Sequence, residues 1–269
     1  MIEPVWLLAY ILLGIIVGFS AGLFGIGGGG IMVPVLTTFF VFQDMVPEHT
    51  VHMALATSMA AIVLTSASSL RAHHHQQGVL WPVVWRITPG ILIGTFSVAY
   101  IAAWIPSVWL AGFFALFMLY VSSRMFLDIR PNPSRTLPGT LGLSSVGAGI
   151  GGISALVAIG GGSLTVPFLN WCNVNIRQAI GTSAAVGFPI SVAGSLGYIT
   201  GGINITADIH YTIGFIYIPA FLSITIASVL LAPLGARLAH KLPVQTLKKL
   251  FALLLLVLCF TMIWSLLRA

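Results

Sequence analysis

Two glycine-rich segments, one in each half of the 269-residue chain, carry the residues best suited to binding a small ion. Residues 25–34 and 158–167 are identical at six of ten positions, and both segments end in Val-Pro. A glycine turn that opens into a helix tolerates a positive φ and presents unpaired backbone N–H groups at the positive end of the helix dipole, which favours an anion. The alternative is close helix packing through small residues. Because the segment occurs twice we favour a substrate site, and its candidate residues are Gly27, Gly28, Gly29, Gly30, Gly160, Gly161, Gly162 and Ser163.

A second repeated element, a Thr-Ser dipeptide, follows each glycine segment. Thr57 and Ser58 in the first half correspond to Thr182 and Ser183 in the second. Hydroxyl groups donate hydrogen bonds to an anion without adding a charge, but they also bond back to their own helix or across to a neighbour. The recurrence leaves both interpretations open, and we include all four residues among the candidates for substrate binding.

Two basic or ionisable residues occupy equivalent positions, five residues before each of these threonines. They are His52 and Arg177. If the two halves are inverted, these residues lie at opposite mouths of a pathway, where they would attract or release an anion. The alternative is that they cap solvated helix ends, with Arg177 helping to fix the orientation of the chain.

The composition decides what kind of protein must position these residues. The chain is 58% hydrophobic and 6% charged, whereas a soluble domain carries about 25% charged residues. So few charges cannot cover a soluble globule, and we predict an integral membrane protein surrounded by the lipid bilayer. The net charge of +6 is spread between apolar segments, as expected for cytoplasmic loops rather than for a nucleic-acid-binding surface.

Ten apolar segments can be distinguished, five in each half, so we predict an all-α membrane protein with halves at 1–130 and 131–269. The second segment of each half is short and begins in glycines, which leaves eight to ten membrane spans because a full span needs about 20 residues. We also expect Pro89 and Pro219 to kink the fourth segment of each half. The segments are 5–24, 27–42, 52–70, 82–104, 107–127, 138–157, 159–172, 179–200, 211–235 and 244–267.

An odd number of segments in each half requires the two halves to be inverted relative to each other. Placing the N-terminus outside puts ten of the eleven Lys and Arg residues on the cytoplasmic side, together with the polar linker 128–135. The opposite orientation would put ten of them outside, against the positive-inside rule. The sequence therefore predicts an outside N-terminus and a cytoplasmic linker.

Several other chemistries lack the residues that they need. The sequence has no Walker motif for ATP, no GxSxG nucleophile turn, and too few spaced histidines beyond His73-His74-His75 for a metal centre. Its five carboxylates lie at segment ends or in loops, which argues against a carboxylate proton relay and agrees with an anionic substrate. We expect no enzyme activity, cofactor, metal or bound ATP. The sequence leaves open whether the protein forms a homodimer.

Taken together, these motifs resemble the TauE/SafE family of sulfite and organosulfonate exporters. The matching parts are Gly-Ile-Gly-Gly-Gly in the first half and Ala-Ile-Gly-Gly-Gly in the second, each followed by Val-Pro, and the His52 and Arg177 motifs with their Thr-Ser pairs. The similarity runs from about residue 5 to about residue 265. The second copy departs from the first at Ala158 and Ser163, where the first has Gly25 and Gly30, so its loop is less flexible.

The resemblance implies a multi-pass carrier in a bacterial or archaeal inner membrane, with a sulfur-containing anion such as sulfite or a sulfonate as its substrate. We therefore predict a secondary transporter that exports this anion by alternating access. The alternatives are an importer, a carrier of another small anion or sulfur metabolite, a passive anion channel and an intramembrane enzyme.

Overall fold

The computed structural model describes residues 3–24, 28–75, 77–127, 134–239 and 244–268, so that Gly27 and most of the linker 128–135 lie outside the described residues. The described residues form ten α-helices, one for each predicted apolar segment. The helices are α1 (Pro4–Phe24), α2 (Gly29–Phe42), α3 (Thr50–His75), α4 (Trp81–Ala102), α5 (Ser107–Phe126), α6 (Thr140–Val157), α7 (Gly162–Trp171), α8 (Ile176–Gly202), α9 (Ile218–Ala239) and α10 (Val244–Arg268).

Two short elements precede long helices. A 3-10 turn, Pro47–His49, leads into α3, and a hairpin of the two-residue antiparallel strands β1 (Thr212–Ile213) and β2 (Ile216–Tyr217) leads into α9. The predicted ninth segment, 211–235, therefore begins as a hairpin and becomes helical only at its eighth residue.

The outer surface is that of a membrane protein. Among the described residues, six helices are long and apolar enough to cross a bilayer, namely α1, α3, α4, α5, α6 and α8. Large apolar side chains point outward from several of them, and Trp85, Trp109 and Leu141 are each more than two-thirds exposed. In water such a surface would be unfavourable, but in a bilayer it faces lipid, so the chain is an all-α multi-pass membrane protein.

The two halves are interleaved. The first helix of each half packs along the fourth helix of the other, so that α1 lies on α9 and α6 lies on α4. In both pairs, glycines bring the backbones so close that a Cβ would collide with the facing helix, as in small-residue packing of membrane helices. The glycines and their neighbours are Gly14 and Gly18 against Ile224 and Ser228, and Gly147 and Gly151 against Ile87 and Ile91.

The prolines of the fourth helices do not behave as the predicted pair of kinks. Pro89 lies inside α4, but Pro219 is the second residue of α9. Proline is compatible with the first helical turn because the N–H groups there have no partner within the helix. The structural counterpart of Pro219 is thus Pro82, the second residue of α4.

Candidate functional site

Both glycine segments form the same helix start. Gly28 caps α2 with a φ of 74°, and Gly161 caps α7 with a φ of 78°. These left-handed conformations favour glycine because a Cβ would approach the following carbonyl. Neither helix start has a side-chain cap, so the N–H groups of the first two residues of each helix have no partner inside that helix.

The two helix starts meet inside the molecule. Gly29 lies so close to the carbonyl oxygen of Ala158 that a Cβ on Gly29 would overlap it, and the same Cβ would lie 3.2 Å from Ile62. A Cβ on Gly187 would lie 2.6 Å from the carbonyl oxygen of Gly160. Ile62 is halfway along α3, and Gly187 is near the middle of α8. Both glycine turns therefore lie between α3 and α8, here called the central helices, at the level of their midpoints, here called mid-height.

Three buried hydroxyls belong to these motifs and have no hydrogen-bond partner within the described part of the chain. They belong to Ser58, Ser163 and Thr165. Thr165 is fully buried, and its Oγ1 lies 3.4 Å from the position of a Cβ on Gly161. Its hydroxyl therefore lies beside the start of α7, where it could donate to a bound anion.

Sequence reasoning missed Thr165 because the first copy has Met32 at the matching position, so the residue did not appear as a repeated element. The sequence feature that indicates Thr165 is a hydroxyl residue one helical turn after a capping glycine, in an otherwise apolar segment. A comparison of the two copies alone hides such one-sided donors.

The repeated threonines each accept a hydrogen bond from the opposite half. Thr57 Oγ1 accepts from the backbone N–H of Tyr217 at 3.0 Å, and Thr182 Oγ1 accepts from that of Leu80 at 2.9 Å. Tyr217 and Leu80 are the residues directly before α9 and α4. These two bonds, here called the threonine contacts, therefore hold the start of each fourth helix. In the described part of the chain neither hydroxyl donates a hydrogen bond, so both could donate to a ligand.

The central helices also meet at equivalent positions of the two copies. Ser66 Oγ on α3 lies 3.4 Å from Ser191 Oγ on α8. These serines are 125 residues apart, as are Thr57 and Thr182. Ser183 is buried beside Thr182 in α8. A contact between a residue and its own repeat counterpart is expected where two related helices cross on a symmetry axis.

His52 and Arg177 lie in different surroundings. The His52 side chain is 2% exposed; its Nε2 lies 3.0 Å from Ala102 O and 2.9 Å from Ile105 O. Arg177 is exposed in the first turn of α8, where the Asn175 side chain accepts from its backbone N–H at 3.0 Å. His52 therefore connects α3 to the end of α4, whereas Arg177 lies on a solvent-accessible helix end.

The fold, the apolar exterior and the paired glycine-capped helix starts are those expected of a multi-pass membrane transporter. The family model described as "Sulfite exporter TauE/SafE" matches residues 10–262, and the chain belongs to this family. The membership expected from the sequence is thus confirmed, and the chain is a transporter rather than an enzyme.

Related proteins carry the same general description. A "Probable membrane transporter protein" of Haemophilus influenzae is 38% identical over 96% of this chain and 98% of its own length. Proteins with the same description in Methanocaldococcus jannaschii and Bacillus subtilis are 29% and 30% identical over 86% and 73% of this chain, and over 86% and 78% of their own lengths. No solved structure matches the chain.

Proposed function

We propose that the protein is a secondary transporter that exports a small sulfur-containing anion, sulfite or an organosulfonate, across a prokaryotic inner membrane. The observation that carries this proposal is the meeting of two glycine-capped helix starts at mid-height between α3 and α8. Broken helices that meet at the bilayer centre form the substrate sites of many secondary transporters.

The anion would be bound by dipoles and neutral donors. The N–H groups at the starts of α2 and α7 supply the positive ends of two helix dipoles, and the hydroxyls of Ser58, Ser163 and Thr165 supply further donors. The described carboxylates do not oppose an anion here, because Glu3, Asp44, Glu48 and Asp208 are all exposed. The Thr57, Thr182 and Ser183 hydroxyls would extend this set of donors.

An inverted repeat accounts for the contacts between the halves. If each residue is replaced by its counterpart in the other half, the α1–α9 pair becomes the α6–α4 pair, and one threonine contact becomes the other. The Ser66–Ser191 contact is unchanged by the same exchange, because each serine is the counterpart of the other. At 1.5 Å per residue, α2 and α7 are about 21 and 15 Å long, shorter than the hydrocarbon core of about 30 Å. We therefore assign α2 and α7 to partial spans that begin at mid-height and end at opposite sides of the membrane, which preserves the inverted orientation.

The positions of the threonine contacts support alternating access. With the N-terminus outside and the linker 128–135 inside, α3 begins at the outer side and α8 at the inner side. Thr57 lies about two turns into α3, and Thr182 about two turns into α8. Opening the outer side would break the Thr57 contact, and opening the inner side would break the Thr182 contact.

Uptake of labelled sulfite into proteoliposomes tests this function directly. We expect saturable uptake that empty liposomes lack, counterflow from preloaded vesicles, and competition by thiosulfate, sulfoacetate or taurine. A flux that is linear in the gradient and shows no counterflow would instead indicate a channel. Absence of sulfite flux under every imposed pH, sodium and voltage gradient would remove the sulfur assignment.

A further inference from the structure

The His52 ring faces oxygen acceptors on both of its nitrogens. Its Nε2 lies between the carbonyl oxygens of Ala102 and Ile105, at 3.0 and 2.9 Å. Its Nδ1 lies 3.2 Å from Ser107 Oγ, and that same oxygen lies 2.6 Å from the carbonyl oxygen of Glu48. A carbonyl oxygen only accepts, so the single hydroxyl hydrogen of Ser107 is donated to Glu48.

This geometry suits a doubly protonated ring. With the Ser107 hydrogen committed to Glu48, only an oxygen lone pair faces His52 Nδ1. A neutral imidazole carries one N–H and would leave a lone pair against a lone pair, whereas an imidazolium carries two N–H groups and satisfies all three acceptors. Hydrogen bonds from a charged donor are also the stronger ones.

Two further features around His52 would favour a positive charge on the ring, and neither is a carboxylate. Ala102 is the last residue of α4, so the ring lies at the negative end of a helix dipole. The Phe215 ring stacks on His52 with centroids 5.0 Å apart, and an aromatic face attracts a cation.

The other ionisable groups near His52 contribute little to holding this charge. The His49 ring contacts His52 edge-on at 5.7 Å, so simultaneous charging of both rings would be unfavourable. The Glu48 side chain is exposed, and Glu48 acts on His52 only through its backbone carbonyl, which accepts the hydrogen bond from Ser107. Tyr217, from the hairpin, packs on Tyr10 and Phe40 instead.

We infer that His52 is the proton-binding site of this transporter, occupied while the α4–α5 connection and the hairpin are packed on α3. The inference rests on the proposed transport function. Burial opposes the charge, so the proton is retained only while Ala102, Ile105 and Ser107 are in place. Movement of these groups would release it.

The site is connected to one of the threonine contacts. Phe215, which stacks on His52, lies two residues before Tyr217, whose N–H is bound by Thr57 on the same helix α3. Opening at this side would separate the hairpin from both His52 and Thr57. Because linkage is reciprocal, a bound proton stabilises the closed arrangement, and loss of the proton favours opening.

Nitrogen NMR spectra of the histidine rings test the proton site without any substrate. They are recorded from pH 5 to pH 8 on protein that carries isotope-labelled histidine and is reconstituted in nanodiscs. His52→Gln identifies the signal. We expect a doubly protonated ring at the acidic end, and Ser107→Ala should lower its proton affinity about tenfold, since hydrogen bonds to charged groups are strong. Ser122→Ala, which removes another buried α5 hydroxyl, should leave the affinity unchanged.

A His52 ring that stays neutral over the whole range, or a titration that Ser107→Ala does not alter, would overturn the proton site. Coupling to transport is tested separately with ethanesulfonate, whose charge does not change over this range, in proteoliposomes that contain a pH indicator. We expect protons to move with the sulfonate. Sulfonate flux without proton flux would refute the coupling. If no sulfonate moves at all, the organosulfonate part of the proposed function fails, and the ring signals alone decide the proton site.

Discussion

The two copies of the repeat are alike in backbone geometry but differ in how deeply they are enclosed. The capping glycines Gly28 and Gly161 are both buried, but Gly29, Gly30 and His52 are buried whereas their counterparts Gly162 and Ser163 are half-buried and Arg177 is exposed. A carrier of two inverted copies must differ between them in any single state, because opening one side closes the other. The difference therefore supports the proposed mechanism, with the first copy closed and the second more open.

The copies also differ in chemistry at their helix starts. The start of α7 carries the hydroxyls of Ser163 and Thr165, whereas α2 has Gly30 and Met32 at the matching positions. A Cβ on Gly30 would meet Leu255 and the sulfur of Met118, at 3.1 and 3.4 Å. The second copy thus offers more hydrogen-bond donors, and the first offers a tighter and more apolar wall.

The largest effect should come from the capping glycines, where the copies are most alike. Gly28→Val and Gly161→Val each place a β-branched residue at a positive φ, with a Cβ 2.6 Å from Val17 or 2.7 Å from Ile190, so both should reduce uptake to the level of empty liposomes. Gly112→Val is the matched control, because a Cβ there meets nothing within 4 Å. Normal uptake by a folded Gly28→Val or Gly161→Val protein would exclude the glycine-capped site.

The donors of the second copy should give the next largest effect. Ser163→Ala and Thr165→Val remove hydroxyls that we assign to the anion, and each should raise the KM for uptake about tenfold, the effect of losing a hydrogen bond to a charged group. Thr88→Val is the control because its hydroxyl donates to Val84 O in its own helix. An unchanged KM in both site variants would remove these hydroxyls from the site.

Much of this architecture could be predicted from the sequence, because it depends on strong local signals. Long apolar runs indicated all ten helices, and Gly28 and Gly161 indicated the two helix starts. The partners of Thr57 and Thr182 could not be predicted, since Tyr217 and Leu80 are distant in the chain and bond through their backbone. Burial of His52 was missed for a similar reason, because its acceptors are carbonyl groups that any residue provides.

A smaller effect, opposite in sign for the two copies, should come from the threonine contacts. Each contributes a hydrogen bond of about 1 kcal/mol, so its loss should shift the balance between the two open states about fivefold. Thr57→Val should favour the outward-open state and Thr182→Val the inward-open state.

The measurement is labelling of Ser163→Cys by an impermeant maleimide, with Cys172 and Cys259 replaced, in intact cells and in inverted vesicles. Thr65→Val is the control, since its hydroxyl bonds only to carbonyl groups of α3 in the described part of the chain. Shifts in the same direction for Thr57→Val and Thr182→Val would contradict opposite-sided contacts.

The smallest effect should come from Arg177, the exposed counterpart of His52. If it only attracts the anion, Arg177→Gln should raise the KM about twofold at low salt and not at all near 1 M salt, where charges are screened within about 3 Å. Arg177→Lys keeps the charge and should behave as the native protein does. A loss that persists at high salt would mean that Arg177 contacts the substrate directly, and the two copies would then be closer in function than their different burial indicates.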